Sequence, residues 1–486
     1  MSNRLSVLHR LAVWPLVGLS LMAAASAVPA RETKRPPNVL FLFSDDQRFD
    51  TIGALGNRDI ETPNLDRLVR EGFAFTHAHI MGAMQGAVCV PSRAMLMTGR
   101  SLFRCTTAPT LNAIPARLTM LPEALRQNGY APIGVGKWHN DRAAFARAFA
   151  AGGPVFFGGM SDHSKIPVFD FDPEGKYPKS LQHTGPVFDT ELFADAAIQF
   201  LRDEREKPDK PFFLYVAFTA PHDPRTPPEE FAQKYSAERM PLPKNFLPEH
   251  PFDNGELKVR DERLLPWPRT PEAVRKEIAL YYGMISHLDA QVGRILQALA
   301  EAGQARRTLV IFAGDNGLAV GQHGLLGKQN LYEHSVRVPL IFHGPGIPKG
   351  RKSDALCYLF DVFPTLCELT GAAIPATVEG RSLLPVISGK EKTVRDAVFG
   401  AYRDVQRMVR DGRWKLIYYP KANRTQLFDL DQDPEEMKDL SSDANFAAKL
   451  GELRAKLTTL QQQAGDPLIQ DPLQSARAKR PRSSAP

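Results

Sequence analysis

The chain has 486 residues, of which 43% are hydrophobic and 24% charged; this excludes a small cross-linked scaffold and a disordered chain, and predicts one large domain with a smaller one. Four cysteines cannot form a disulfide framework, and 61 Lys+Arg against 54 Asp+Glu leave a net charge of +7, a mild bias towards anionic ligands. Part of that excess is Arg477, Lys479, Arg480 and Arg482 at the C-terminus, a charged terminus of the kind that is usually solvated, so no nucleic-acid partner is expected.

Arg4 and Arg10 precede the apolar run Leu11 to Ala25, and Ala25-Ser26-Ala27 resembles a cleavage site. Residues 1–27 therefore read as a secretory signal peptide, which predicts an exported protein, periplasmic or extracellular, with no membrane anchor after cleavage. Asn38 to Phe43 is a continuous apolar run, the pattern of a strand buried on both faces, and it ends at Ser44-Asp45-Asp46. A helix follows with Thr62 as N-cap, Pro63 at its first position, Leu65, Leu68 and Val69 on one face, and Gly72 as stop. Pro91 and Ser92 open a short helix that places Cys89 at its N-terminus, where backbone amides favour an anion. A further helix spans 121–127, and the strand Ala131 to Val135 runs into Gly136-Lys137-Trp138-His139.

Pro211 to Phe218 reads as another buried strand, followed by His222-Asp223, and Thr308 to Phe312 as a fourth, followed by Gly314-Asp315-Asn316-Gly317. Between them the proline-rich stretch 221–271 predicts a long surface excursion and 271–302 a helix. Alternating strands and helices predict an α/β domain over 36–375, built on a large mixed, mostly parallel sheet flanked by helices. Residues 376–465 read as a small α+β domain with an antiparallel sheet over 397–430 and a helix over 445–463; the basic tail 466–486 reads as disordered.

Each polar cluster by itself reads as a turn or a cap. Their recurrence at the carboxyl ends of strands in one sheet points to a ligand site. Asp45, Asp46, Asp315 and the Asn316 amide are hard oxygen donors, suited to Ca²⁺ or Mg²⁺.

Cys89 to Arg100 matches without departure the pattern C-x-P-S-R-x-x-x-x-T-G-R. This resembles the signature of the type I, formylglycine-dependent sulfatases of the alkaline phosphatase superfamily. The resemblance extends from Asn38 to about Leu440 through N-V-L-F-L-F-S-D-D-Q, G-K-W-H, A-G-D-N-G and G-K-Q-N-L-Y-E-H-S-V-R-V-P-L-I. It implies an alkaline-phosphatase-like fold and hydrolysis of sulfate esters, with Cys89 oxidised by a maturation enzyme to formylglycine, an aldehyde used as its hydrate. It also implies one Ca²⁺ ion held by Asp45, Asp46, Asp315, Asn316 and position 89. Arg93 and Lys137 resemble the residues that hold the hydrated aldehyde, Lys328 and His222 those that bind sulfate and assist the leaving group, and His139 the base.

A sulfated carbohydrate is the expected substrate. Asn140, Asp141, Arg142, His163 and Arg225 lie where a leaving-group alcohol is read, although a solvated loop face explains them equally. Two other readings stay open: a formylglycine-dependent phosphonate or phosphate ester hydrolase, and a non-catalytic glycan-binding relative. Cys357 and Cys367 sit in apolar segments and read as buried thiols, and no role is assigned to Cys105.

Overall fold

Continuous apolar runs build the centre of the molecule in the computed structural model, which describes residues 35–107, 112–204 and 210–469. The strands are β1 (Asn38–Ser44), β2 (Phe73–His79), β3 (Gly82–Ala83), β4 (Ala131–Lys137), β5 (Ala151–Phe156), a small ribbon of β6 (Pro167–Val168) with β7 (His183–Thr184), and β8 (Phe212–Ala217). After these come β9 (Thr308–Gly314), β10 (Arg337–His343), β11 (Arg351–Ser353) and β12 (Cys357–Tyr358). The large sheet has the order β11-β2-β10-β9-β1-β8-β4-β5, with β12 also on β2. Within it only β10 is antiparallel to its neighbours, β2 and β9; the other pairings are parallel. The sheet is thus mixed and mostly parallel, as expected.

Alternation along β1 explains why its sequence is apolar throughout. Val39, Phe41 and Phe43 point into one core layer, shared with the Cys89–Thr98 and Val362–Thr370 helices. Leu40 and Leu42 point into the other, shared with Leu65 and Leu68 of the Pro63–Glu71 helix, Phe193 of the Asp189–Glu204 helix, and Met284 and Leu288 of the Pro271–Glu301 helix. A strand buried on both faces leaves no position for a polar side chain until it emerges at its carboxyl end.

A second sheet is formed by β13 (Val398–Tyr402), β14 (Gln406–Asp411), β15 (Trp414–Tyr419) and β16 (Arg424–Asp429), in the order β16-β15-β14-β13-β3. Its meander is antiparallel, and β3, from far upstream, adds to β13 in parallel. Gly82 makes this contact possible: at φ +87° a Cβ there would lie 2.1 Å from the Ala401 carbonyl oxygen. Buried side chains of β13 to β16 join the core layer that contains Phe41, and the described residues from Pro36 onward form one compact unit.

Three local expectations are corrected. The Thr62 side chain does not cap its helix; its hydroxyl accepts from Gly53 N and donates to Asp66, while Asp289 of the long helix accepts from Asn64 N and Leu65 N at 3.1 and 2.7 Å. A tertiary contact has taken over a local capping role. The 221–271 excursion is not confined to the surface, because Asp261, Glu262 and Arg269 are buried. Finally, order continues past 465: Asp466 is buried and its carboxylate accepts from Arg407 Nη2 at 2.8 Å. The segment read as a signal peptide, 1–27, and the tail after 469 lie outside the described residues. No helix among the described residues is long and apolar enough to cross a membrane.

Candidate active site

Strand register brings the polar clusters together. Ser44 of β1 pairs with Gly314 of β9, Phe43 with Ala217 of β8, and Ala217 with Gly136 of β4. Four parallel strands therefore end at one level, and the residues at or beyond each end, Asp45-Asp46, Asp315-Asn316, His222 and Lys137-Trp138-His139, meet at one edge of the sheet. The backbone there is unusual: Asp46 and His139 have φ of 61° and 64°, a left-handed conformation uncommon for non-glycine residues and concentrated at functional sites. Gly136 allows β4 to approach β8, since at its φ of +92° a Cβ would stand 1.9 Å from the Ala217 carbonyl oxygen.

Cys89 is the first residue of the Cys89–Thr98 helix, every residue of which is buried. One turn later Arg93 donates from Nη2 to Asp45 Oδ2 at 3.1 Å, from Nε to Asp315 Oδ2 at 3.0 Å, and from Nη1 to the Lys137 carbonyl at 2.7 Å. The Lys137 ammonium pairs with Asp45 and lies 4.0 Å from Cys89 Sγ. His139 Nδ1 is 3.2 Å from the same sulfur. Across the site, Lys328 Nζ donates to both oxygens of Asp46 at 2.7 and 2.8 Å, Asn316 Nδ2 donates to Asp46 Oδ1 at 2.7 Å, and His222 Nε2 stands 3.6 Å from Asp46 Oδ2.

Burial and charge set the protonation states. Burial pushes the Cys89 thiol up to about 12, so an unmodified Cys89 is a thiol and a poor nucleophile. Burial, followed by the cation of Lys137, holds His139 well below the ordinary histidine value, so its imidazole is neutral. Burial and then Lys328 lower His222 as well. Burial opposes the charged form of Lys328, but Asp46 outweighs it and keeps the ammonium well above its ordinary value. Burial raises Asp45, and the neighbouring Asp315 adds to the rise.

This crowding of acidic oxygens fits a hard cation. Asp45 Oδ1 and Asn316 Oδ1 are buried without a hydrogen-bond partner, a costly condition for oxygen acceptors that a metal ion would remove. Donor atoms of Asp45, Cys89 and Asp315 lie within 4.8 Å of one another. Cys89, His139, His222 and Lys328 line a single cavity of about 360 Å³, whose remaining wall includes Met160, Arg260, Asp261 and Gln329.

With that geometry in place, the comparison with known proteins is decisive: the Sulfatase family model matches residues 37–372. The chain belongs to the sulfatase family. Its C-terminal part, residues 321–463, also matches the model of the N-sulphoglucosamine sulphohydrolase C-terminal region. An arylsulfatase of Clostridium perfringens is 28% identical over 86% of this chain and 93% of its own length, and an N-acetylglucosamine-6-O-sulfatase of Bacteroides thetaiotaomicron is 27% identical over 93% and 90%. A solved structure of a protein in complex with its substrate D-glucosamine-2-N,6-O-disulfate superposes with a TM-score of 0.75 and 24% identity, covering 89% of this chain and 99% of that one, and shares the fold. This sulfatase is accordingly a sulfuric ester hydrolase.

The sulfatase brings together Asp45, Asp46, Cys89, Arg93, Lys137, His139, His222, Asp315, Asn316 and Lys328, but none of the five residues expected to read the alcohol lines the cavity. Each is occupied internally. Asn140 Nδ2 donates to the Val90 carbonyl at 3.2 Å. Asp141 caps the Arg142–Ala148 helix through Ala144 N at 2.9 Å and also accepts from Ile114 N. Arg142 donates to the Tyr177 carbonyl and lies over the Phe157 and Phe169 rings. Arg225 pairs with Glu277 at 2.6 Å, and His163 bridges Asp189 and the His222 carbonyl. In their place the 221–271 excursion supplies Arg260 and Asp261; excursion length was the only sequence signal for them.

Proposed function

We propose that this sulfatase is an exported, calcium-dependent enzyme that removes sulfate from a sulfated carbohydrate, using a formylglycine made from Cys89 by a maturation enzyme. The observation that carries the reading is the setting of Cys89: a protonated, buried thiol at a helix N-terminus, faced by Lys137 and His139 and flanked by two orphan carboxylate and amide oxygens. A plain thiol there has no catalytic use, whereas oxygens in its place complete a cation site. Export rests on the signal-like segment 1–27, and the carbohydrate on the names of the relatives and on a cavity walled by Arg260, Asp261 and Gln329, polar partners for sugar hydroxyls.

Asp45, Asp46, Asp315 and Asn316 would hold the calcium ion, with position 89 beside them. The ion and the hydrated aldehyde together supply charge neutralisation and two hydroxyls, one to accept the sulfuryl group and one to release it. The chain's own groups do the rest. Arg93 spans Asp45 and Asp315 and fixes both carboxylates. Lys137 and His139 hold position 89 from either side, and neutral His139 takes a proton at Nδ1, the nitrogen facing it. Lys328 binds the anionic sulfate. His222 donates Nδ1–H to the Asp223 carbonyl at 2.8 Å, which turns Nε2 into the site. In its imidazolium form, which the Asp46 carboxylate 3.6 Å from Nε2 favours against burial and Lys328, it would give the Nε2 proton to the departing alcohol oxygen, a contribution of roughly 10² to 10⁴ in rate.

A peptide mass spectrum around Cys89 of the protein from its native host, with turnover of sulfated oligosaccharides before and after chelation, tests the reading. Aldehyde at position 89 with chelator-sensitive desulfation is expected. An unmodified Cys89 in active protein, or turnover of simple aryl sulfates with none on glycans, overturns the formylglycine or the carbohydrate element respectively.

A further inference from the structure

We infer that His163, paired with Asp189, is a positioning residue that holds the peptide of His222 so that its Nε2 faces the leaving group. The inference rests on the proposed role of His222 as proton donor. His163 and Asp189 are buried, in no contact with the cavity, and belong to no sequence signature.

The hydrogen-bond geometry leaves His163 little choice of protonation. Its Nε2 is 3.0 Å from the His222 carbonyl oxygen, an acceptor that requires N–H on that nitrogen. Its Nδ1 is 2.8 Å from Asp189 Oδ2, a carboxylate oxygen that already accepts the Thr219 hydroxyl at 2.5 Å. Both ring nitrogens therefore face acceptors, the arrangement of an imidazolium against a carboxylate. Asp189 raises His163 above the ordinary value despite the opposing effect of burial. Phe188 stacks on the ring at 5.3 Å and 8°, fixing its plane, and Asp189 N donates back to the His163 carbonyl at 2.8 Å, closing the loop.

His222 is thus held on both sides. Upstream, its N–H donates to the Thr219 carbonyl at 3.0 Å, and Thr219 itself is tied to Asp189. Its own carbonyl is held by His163. Downstream, Asp223 accepts from Arg260 Nη1 at 2.8 Å while its carbonyl takes the His222 Nδ1–H. Only Nε2 is left for the substrate. As the sulfur–oxygen bond to the alcohol breaks, the His222 imidazolium passes its Nε2 proton to the alcohol oxygen and is left as the neutral ring that keeps Nδ1–H on the Asp223 carbonyl; a freely turning His222 would miss that oxygen. Losing His163 should therefore harm esters of poorly acidic alcohols, which need the proton, and spare esters whose alcohol departs as a stable anion.

The test is turnover of alkyl and nitrophenyl sulfates by the matured protein and by His163→Ala, Asp189→Asn, His222→Ala and the His163→Ala/His222→Ala pair. Expected for His163→Ala is a loss of roughly tenfold or more on the alkyl ester with nitrophenyl turnover within about twofold, and no added loss in the His222→Ala background. Asp189→Asn keeps the size of the side chain and should show the same selectivity if His163→Ala does not fold. Equal losses on both esters in the two variants, or a full further loss in the His222→Ala background, would overturn the inference. If His222→Ala itself shows no preference between the esters, the proposed role of His222 falls first, and the inference with it.

Discussion

Lys328 donates to both carboxylate oxygens of Asp46 from 282 positions away in the chain, at 2.7 and 2.8 Å. The pair joins the proposed metal site to the proposed sulfate site: Asp46 is shared by Asn316, His222 and Lys328, so the charges of the two proposed sites form one network.

Lys328→Met should leave Asp46 buried without its main counter-charge. A loss of stability of about 3–5 kcal/mol is expected, read as a shift of the urea unfolding midpoint in protein stripped of metal. Adding Asp46→Asn should recover stability and not turnover, because the second change removes the stranded charge without restoring an ammonium for sulfate. A double variant no more stable than Lys328→Met would contradict this.

Asp45→Asn and Asp315→Asn each remove a proposed calcium ligand and a partner of Arg93. Calcium affinity, measured by calorimetric titration, should fall at least about tenfold in each. Chelated wild-type protein should regain turnover with Ca²⁺ but not with Zn²⁺, whose preference is for nitrogen and sulfur donors. Undiminished affinity in both variants would remove these residues from the site.

Gly136→Ala places a Cβ against the Ala217 carbonyl at a positive φ, so β4 cannot stay in register with β8. A cost of about 2–3 kcal/mol is expected, together with lost turnover through the displaced Lys137. Wild-type melting temperature and turnover would show that the strand contact is looser than the geometry requires.

Asp289 gives a pH signature away from the active site. Burial raises its carboxyl to about 6, against the opposing hydrogen bonds from Leu65 N and Asn64 N. Between the ordinary aspartate value near 4 and about 6 the folded chain holds a proton that the unfolded chain has released, so this contribution is fully present below that window and is lost as pH rises through it. The amount is about 2–3 kcal/mol. Urea midpoints at a series of pH values should show the decline, and Asp289→Asn should flatten it; an unchanged slope in that variant would place the titration elsewhere.

Much of this was legible from the chain alone. The apolar runs of β1, β8 and β9 end where the polar clusters begin because strands buried on both faces admit no polar side chain before their ends. The pattern from Cys89 to Arg100 carried the family, since helix start, proposed nucleophile position and Arg93 lie within two turns of one another and local sequence specifies them together. Which strands sit side by side is a different matter. Only the sheet order places Asp315 beside Asp45, and only the tertiary structure sets Lys328 on Asp46 and the 221–271 excursion against the cavity, or shows that Asn140, Asp141, Arg142, His163 and Arg225 are held by internal partners. Periodicity and spacing report what a segment does along its own axis. A charged side chain's partner is chosen by desolvation, which demands a counter-charge wherever the fold brings one within reach, however distant in sequence.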